Sequence, residues 1–171
     1  MGVTIHFEGQ LKSDNDFDTV MTKAKKFAQT NDMPFESFSE PSKKLGRVKD
    51  EQDWDYEGPT KGIKIQPDPN ADPLWLEFDK DNYIQEYCKT QFAGIETHLQ
   101  IISLLKKIQQ HFINLQVVDE GEYWDTQDKS LLQKSFDDFI DAVEKAKAEN
   151  PKLNGPYRLQ DGRLIDLMED D

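Results

Sequence analysis

A chain of 171 residues suits one domain with its own hydrophobic core, and it needs no disulfide or structural metal to hold it. Its formal charge of −13 argues against nonspecific binding to phosphate backbones and to anionic membranes, both of which reward Lys and Arg. Cys88 is the only cysteine, so no intrachain disulfide forms, which fits a reducing compartment. No apolar run of about 18 residues marks a bilayer span. The N-terminus lacks the basic and apolar regions of a secretory signal, so the expected location is cytoplasmic.

In chain order, Val3, Ile5 and Phe7 alternate with Thr4, His6 and Glu8, the period of a half-buried strand. Ser13 and Asp16 fit a capping box. Phe17, Val20, Met21, Ala24, Phe27 and Ala28 then keep helical spacing to near Thr30, and the residue before Pro34 is driven out of helical geometry. Phe35–Phe38 reads as a short strand. Pro41 to Tyr56 reads as polar loop, with Lys43, Lys44, Arg47 and Lys49 as a solvated charge run. Residues 62–66 and 74–78 alternate and form a hairpin across a Pro/Asp/Asn connector. Residues 83–92 make another strand, against which the charged Glu86 counts.

A broad apolar stripe (Ile95, Leu99, Ile102, Leu105, Ile108 and Phe112, with Ile101 and Leu104) predicts a helix over 94–112. Ile113, Leu115 and Val117 follow as a strand. Leu132, Phe136, Phe139, Ile140 and Val143 mark a helix over 128–148, ended by Asn150-Pro151. The tail reads as a hairpin turning at Asp161-Gly162, where glycine accepts positive φ. The expectation is α+β: one domain over 1–150 with a mainly antiparallel sheet and helices on one face, plus a hairpin tail over 151–171. The element order is that of TATA-binding-protein-like or ferredoxin-like folds, an analogy without functional content.

Two stretches mix carboxylates with large aromatics, Asp50–Gly58 and Asp119–Asp125. Asp53, Asp55, Glu57 and Gly58 match the opening of an EF-hand loop, but Lys64 stands where the bidentate Glu belongs, so no metal and no cofactor are expected. His6, His98 and His111 have no ligand spacing, and His98 beside the Leu99 stripe reads as a core-edge histidine. Cys88 reads as a small core hydrophobe, and neither a nucleophile elbow nor a phosphate loop is present.

Binding is the better-supported class. Trp54, Tyr56, Trp75, Tyr83, Tyr87, Tyr123 and Trp124 are the candidate binding residues, because Trp and Tyr supply large contact area with a polar handle. Alternation sets Trp75 on the sheet face away from the core. There it forms an aromatic patch with Tyr83 or Tyr87, unless residues 41–61 fold across and Trp54 covers it. Acid around such a patch favours a basic protein or peptide partner. The alternatives are a small hydrolase or metal-assisted enzyme using Glu77, Asp79, Asp81 or Glu86 with His98, and a homodimer joined through a sheet edge.

The stretches Asp53–Gly58, Tyr83–Ala93 and Asp119–Trp124 resemble those of an uncharacterised bacterial family of small soluble proteins, over roughly residues 3–145. The resemblance implies a bacterial cytosolic origin and brings no activity, cofactor or catalytic residue with it.

Overall fold

The computed structural model describes every residue except Met1, Asp50, Glu51 and Asp171. Asp50 and Glu51 of the first acidic–aromatic stretch therefore lie outside the described residues, as do the side chains of Lys49, Gln52 and Asp53. The fold is α+β, with antiparallel sheets and the helices on one face.

Strand β1 (Thr4–Gln10) is central, antiparallel to β7 (Tyr83–Lys89) on one side and β8 (Gln116–Asp119) on the other. A second three-stranded sheet runs β2 (Phe35–Leu45), β5 (Tyr56–Ile65) and β6 (Leu74–Phe78). The two sheets meet where β6 turns into β7. At that seam Asp79 N–H donates to Tyr83 O and Asp72 N–H to Lys89 O, both at 3.0 Å, but no ladder joins the strands between these points. Two-residue strands β3 (Val48–Lys49) and β4 (Gln52–Asp53) pair within the segment linking β2 to β5.

The alternation at the N-terminus holds: Ile5 and Phe7 are buried, whereas His6 stands opposite Tyr87 and Val118. Helix α1 (Asp14–Thr30) starts at Ser13, whose hydroxyl accepts the Asp16 N–H, and buries Val20, Met21, Ala24, Phe27 and Ala28. Helix α2 (Ile95–Ile108) is shorter than its apolar stripe, because Gln109–His111 tighten into a 3₁₀ turn. Both pack on Ile5, Phe7, Ile63, Leu76, Phe78, Ile84 and Cys88. Helix α4 (Lys129–Glu149) follows the single turn α3 (Tyr123–Thr126). It adds a second cluster, in which Leu132, Phe136 and Phe139 meet Val3, with Phe92 and Leu99 alongside.

Four local expectations change. Strand β2 runs on to Leu45, because β5 begins at Tyr56 and offers a long ladder, and a register shift between Glu40 and Lys43 absorbs Pro41. Backbone pairing here outweighs a polar sequence. The Lys43–Arg47 run is a solvated face only in part: Arg47 is buried on Asp79 and Lys43 is half-buried on Glu77, whereas Lys44 stays exposed beside Asp55. Strand β7 stops at Lys89 because Thr90 and Gln91 turn their side chains to the Val3 backbone, and Phe92 packs edge-on against Phe139. Ile113 is exposed rather than part of β8.

The tail forms two small ribbons. Strand β9 (Leu153–Asn154) pairs with β12 (Met168–Glu169), and β10 (Tyr157–Arg158) with β11 (Leu164–Ile165) around Asp161-Gly162. Gly162 has φ 92°, the left-handed geometry that such a turn requires. The ribbon docks across the β6–β7 seam, as the hydrogen bonds described below record.

Candidate functional site

Among the described residues no helix lines the outer face of the β7–β1–β8 sheet; a cleft of about 600 Å³ lies there. Its floor is His6 and Glu8 of β1, Gln85 and Tyr87 of β7, and Gln116 and Val118 of β8. Trp75 and Glu77 of β6 extend it, the end of β2 from Lys43 to Leu45 walls it with Gly46 just beyond, and Asp161 and Arg163 reach in from the tail. The volume falls within the range of small-ligand and peptide-anchor pockets. Tyr87 is 38% exposed and Val118 66%.

Trp75 is fixed by neighbours rather than by burial. Phe38 meets it edge-on at 5.6 Å, and the amines of Lys43 and Lys64 lie 4.8 and 4.7 Å from its ring. Gly62 permits this close strand packing, since a Cβ there would stand 1.8 Å from the Leu76 carbonyl oxygen. Glu77, beside Trp75, is buried but satisfied: Lys43 Nζ reaches both its oxygens at 3.0 Å and Thr60 Oγ1 donates at 2.8 Å.

Tyr87 is held between His6, with ring centroids 6.0 Å apart, and the Arg163 guanidinium, 4.1 Å from its ring. Arg163 Nη1 donates to the Tyr87 carbonyl at 2.9 Å and Nη2 to Glu86 Oε2. By strand parity Glu86 belongs with Ile84 and Cys88. Because β6 offers no ladder here, the carboxylate turns to Arg163 in the cleft instead. Burial pushes the Glu86 carboxyl up to about 7, against the pull of Arg163. Fully buried Asp72 braces the seam, accepting the N–H groups of Lys89 at 3.0 Å and Leu164 at 2.7 Å. Burial raises its carboxyl too, with those N–H groups and the Arg163 charge offsetting only part.

The seven aromatic candidates fall into three groups. Trp75 and Tyr87 share the cleft. Trp54, Tyr56 and Tyr83 gather around Arg47, whose guanidinium lies 5.2 Å from Tyr56 and 5.0 Å from Tyr83 and binds Asp79 at 2.7 Å. Trp54, 51% exposed, meets Tyr83 at 6.4 Å. The Tyr83 hydroxyl donates to Glu8, so this group borders the cleft, and burial followed by Glu8 pushes that phenol up to about 12. Tyr123 and Trp124 pack on the core instead, with Lys106 Nζ 3.7 Å from the Trp124 ring. The three tryptophans thus do not converge, and of the described residues in 41–56 only Lys43 to Gly46 and Val48 reach the cleft, with Trp54 beside Tyr83 instead.

The acid–base candidates also separate. Asp79 accepts from Arg47 and from the N–H groups of Asp81 and Tyr83, holding the β6–β7 turn. Asp81 is exposed. Cys88 Sγ lies in the core, 3.5 Å from the Asp72 carbonyl, and burial raises its thiol. His98 is fully buried under Phe136, with Nδ1 2.7 Å from Thr90 Oγ1 and Nε2 2.9 Å from Asp119 Oδ1, off the line of an ideal hydrogen bond. Burial pushes the Asp119 carboxyl up. The His98 ring and the N–H groups of Trp124 and Gly121 more than offset this, leaving it below 3.8. Glu86, Cys88 and His98 thus occupy three different environments. Among the described residues no three His, Cys, Asp or Glu side chains converge as metal ligands, and no helix is long and apolar enough to cross a membrane.

Sequence reasoning passed over Arg163 and Asp72. An arginine just after the turn of the tail hairpin was the available signal for the first; Asp72 is hidden inside a turn-forming connector. No protein-family model, curated protein or solved structure matches the chain.

Proposed function

We propose that the chain is a non-enzymatic binding domain whose outer-face cleft takes a basic protein or peptide. The observation that carries this reading is an accessible Tyr87 that shares with Trp75 a cleft whose carboxylates include Glu8, Glu86 and Asp161. Lys43 and Lys44 are engaged with Glu77 and Asp55, so they oppose an incoming cation only weakly. Beyond the cleft, the charge of −13 steers a cationic partner toward the domain and repels polyanions. Neutralising a toxin, or covering a nucleic-acid-binding surface, are specific tasks of this kind. The reading carries with it a bacterial cytoplasmic setting, in keeping with one buried thiol and the family resemblance noted above.

The test is calorimetric titration with a Lys/Arg-rich peptide and an acidic control, at low and high salt. The expected result is saturable binding of the basic peptide alone. Affinity should fall as salt rises, and about tenfold or more in Tyr87→Ala or Trp75→Ala. Binding that ignores salt and both substitutions contradicts the reading. The enzymatic alternative retains Glu86 in the cleft without His98 beside it. The homodimer alternative is checked by sedimentation of the same samples.

A further inference from the structure

We infer that Arg163 is an internal occupant of an arginine subsite, and that the partner engages the cleft through an arginine of its own that displaces the C-terminal ribbon. This rests on the binding reading above and names the side chain recognised. The subsite has the chemistry of guanidinium capture. Tyr87 supplies a ring face at 4.1 Å, its own carbonyl takes one N–H at 2.9 Å, and Glu86 takes another from the second terminal nitrogen. A planar fork satisfies all three at once; an ammonium group, being a point donor, does not.

The neighbouring backbone is captured as well. Leu164 N–H donates to Asp72 Oδ1 at 2.7 Å, and Lys89 Nζ donates to the Leu164 carbonyl at 3.1 Å. The seam between β6 and β7 thus reads a short extended segment, arginine first and an apolar residue second.

Two features make exchange the natural mode. Leu164 is the one buried residue among the described residues of the ribbon, so the ribbon is held mainly by polar contacts, including Lys89–Asp166, Gln91–Asp166 and Arg158 to the Pro69 carbonyl, which an incoming polar segment can replace one for one. Withdrawing Arg163 alone would leave the buried Glu86 and Asp72 carboxylates without their guanidinium, which burial penalises. An arginine entering as Arg163 leaves avoids that state. Charge agrees: an acidic chain attracts an arginine-bearing segment, and Asp161, 3.8 Å from Arg163 Nε, stands at the entrance.

The experiment uses the full chain and a blocked peptide copying Gly162–Asp166, with a second peptide carrying lysine in place of arginine. Arg163→Ala empties the subsite. Arg163→Lys, which keeps the charge and loses the fork, serves if the first variant does not fold. Either variant is expected to bind the arginine peptide at least tenfold more tightly than the wild type does, and at least tenfold more tightly than the lysine peptide. Adding Tyr87→Ala should abolish the gain. Equal affinity of wild type and variants overturns the inference. If the wild type takes basic peptides in the cleft whatever stands at position 163, the inference fails and the binding reading survives. If no basic peptide binds wild type or variant, both fall.

Discussion

The two faces of the β7–β1–β8 sheet are made from the same strands, yet they differ in kind. On the inner face Ile5, Phe7, Ile84 and Cys88 are sealed by α1 and α2, and the polar group Thr90, His98 and Asp119 is buried with them. On the outer face His6, Glu8, Gln85, Tyr87, Gln116 and Val118 line an open cleft, and its Glu86–Arg163 pair depends on a tail held mainly by polar contacts such as Lys89–Asp166, Gln91–Asp166 and Leu164–Asp72. Buried polar chemistry therefore does not by itself mark function in this chain. His98 and Asp119 have catalytic side chains but no route to solvent, whereas Tyr87 and Arg163 have an opening.

The largest expected effect lies on the inner face. Asp119→Ala leaves His98 without its carboxylate and the Gly121 and Trp124 N–H groups without their acceptor, and should cost about 3–5 kcal/mol in denaturant unfolding. Where the variant still folds, cleft affinity should stay unchanged; a loss of affinity without a loss of stability would break the contrast. Tyr87→Ala should show the reverse. Basic-peptide affinity falls about tenfold or more, while stability falls by only about 1 kcal/mol, because the ring is already partly exposed.

Those assignments were partly legible in the sequence. Period two put Trp75 on the outer face, and helical spacing found α1 and α4, because each pattern reports a face that water either reaches or does not. The cleft was less legible. Its walls are built by partners remote in sequence, such as Lys43 with Glu77 and Arg163 with Glu86, and no local period encodes such pairs. Strand β2 was underestimated for the same reason: its extension past Pro41 is specified by β5 rather than by its own residues. Abundant acid drew attention to Asp53–Gly58, whereas the informative residue was Arg163 in the tail.

The two carboxylates also set opposite pH signatures. Glu86 titrates at about 7 when folded against an ordinary 4.5, so it is protonated in both states below 4.5 and costs nothing there. As pH rises from 4.5 through about 7 the unfolded chain releases that proton first, and stability declines. Asp72, also raised by burial, adds in the same sense from 3.8 upward. Asp119, held below 3.8, contributes stability that is present above 3.8 and lost as pH falls further. Unfolding midpoints across pH should show both limbs. Glu86→Gln should flatten the neutral limb and Asp119→Asn the acidic one; exchanged effects would contradict the comparison. The smallest expected change is in Val118→Lys, at an exposed position of the cleft floor, which should leave stability within about 0.5 kcal/mol while weakening a basic ligand by charge.

The most direct measurement is backbone amide NMR of the full chain titrated with an arginine-rich peptide. Perturbations should concentrate on His6, Gln85, Tyr87, Gln116 and Val118 and on the ribbon around Arg163, with α4 unmoved. Shifts confined to α4, or no saturable shifts at all, would contradict the claim that the open sheet face is the binding surface.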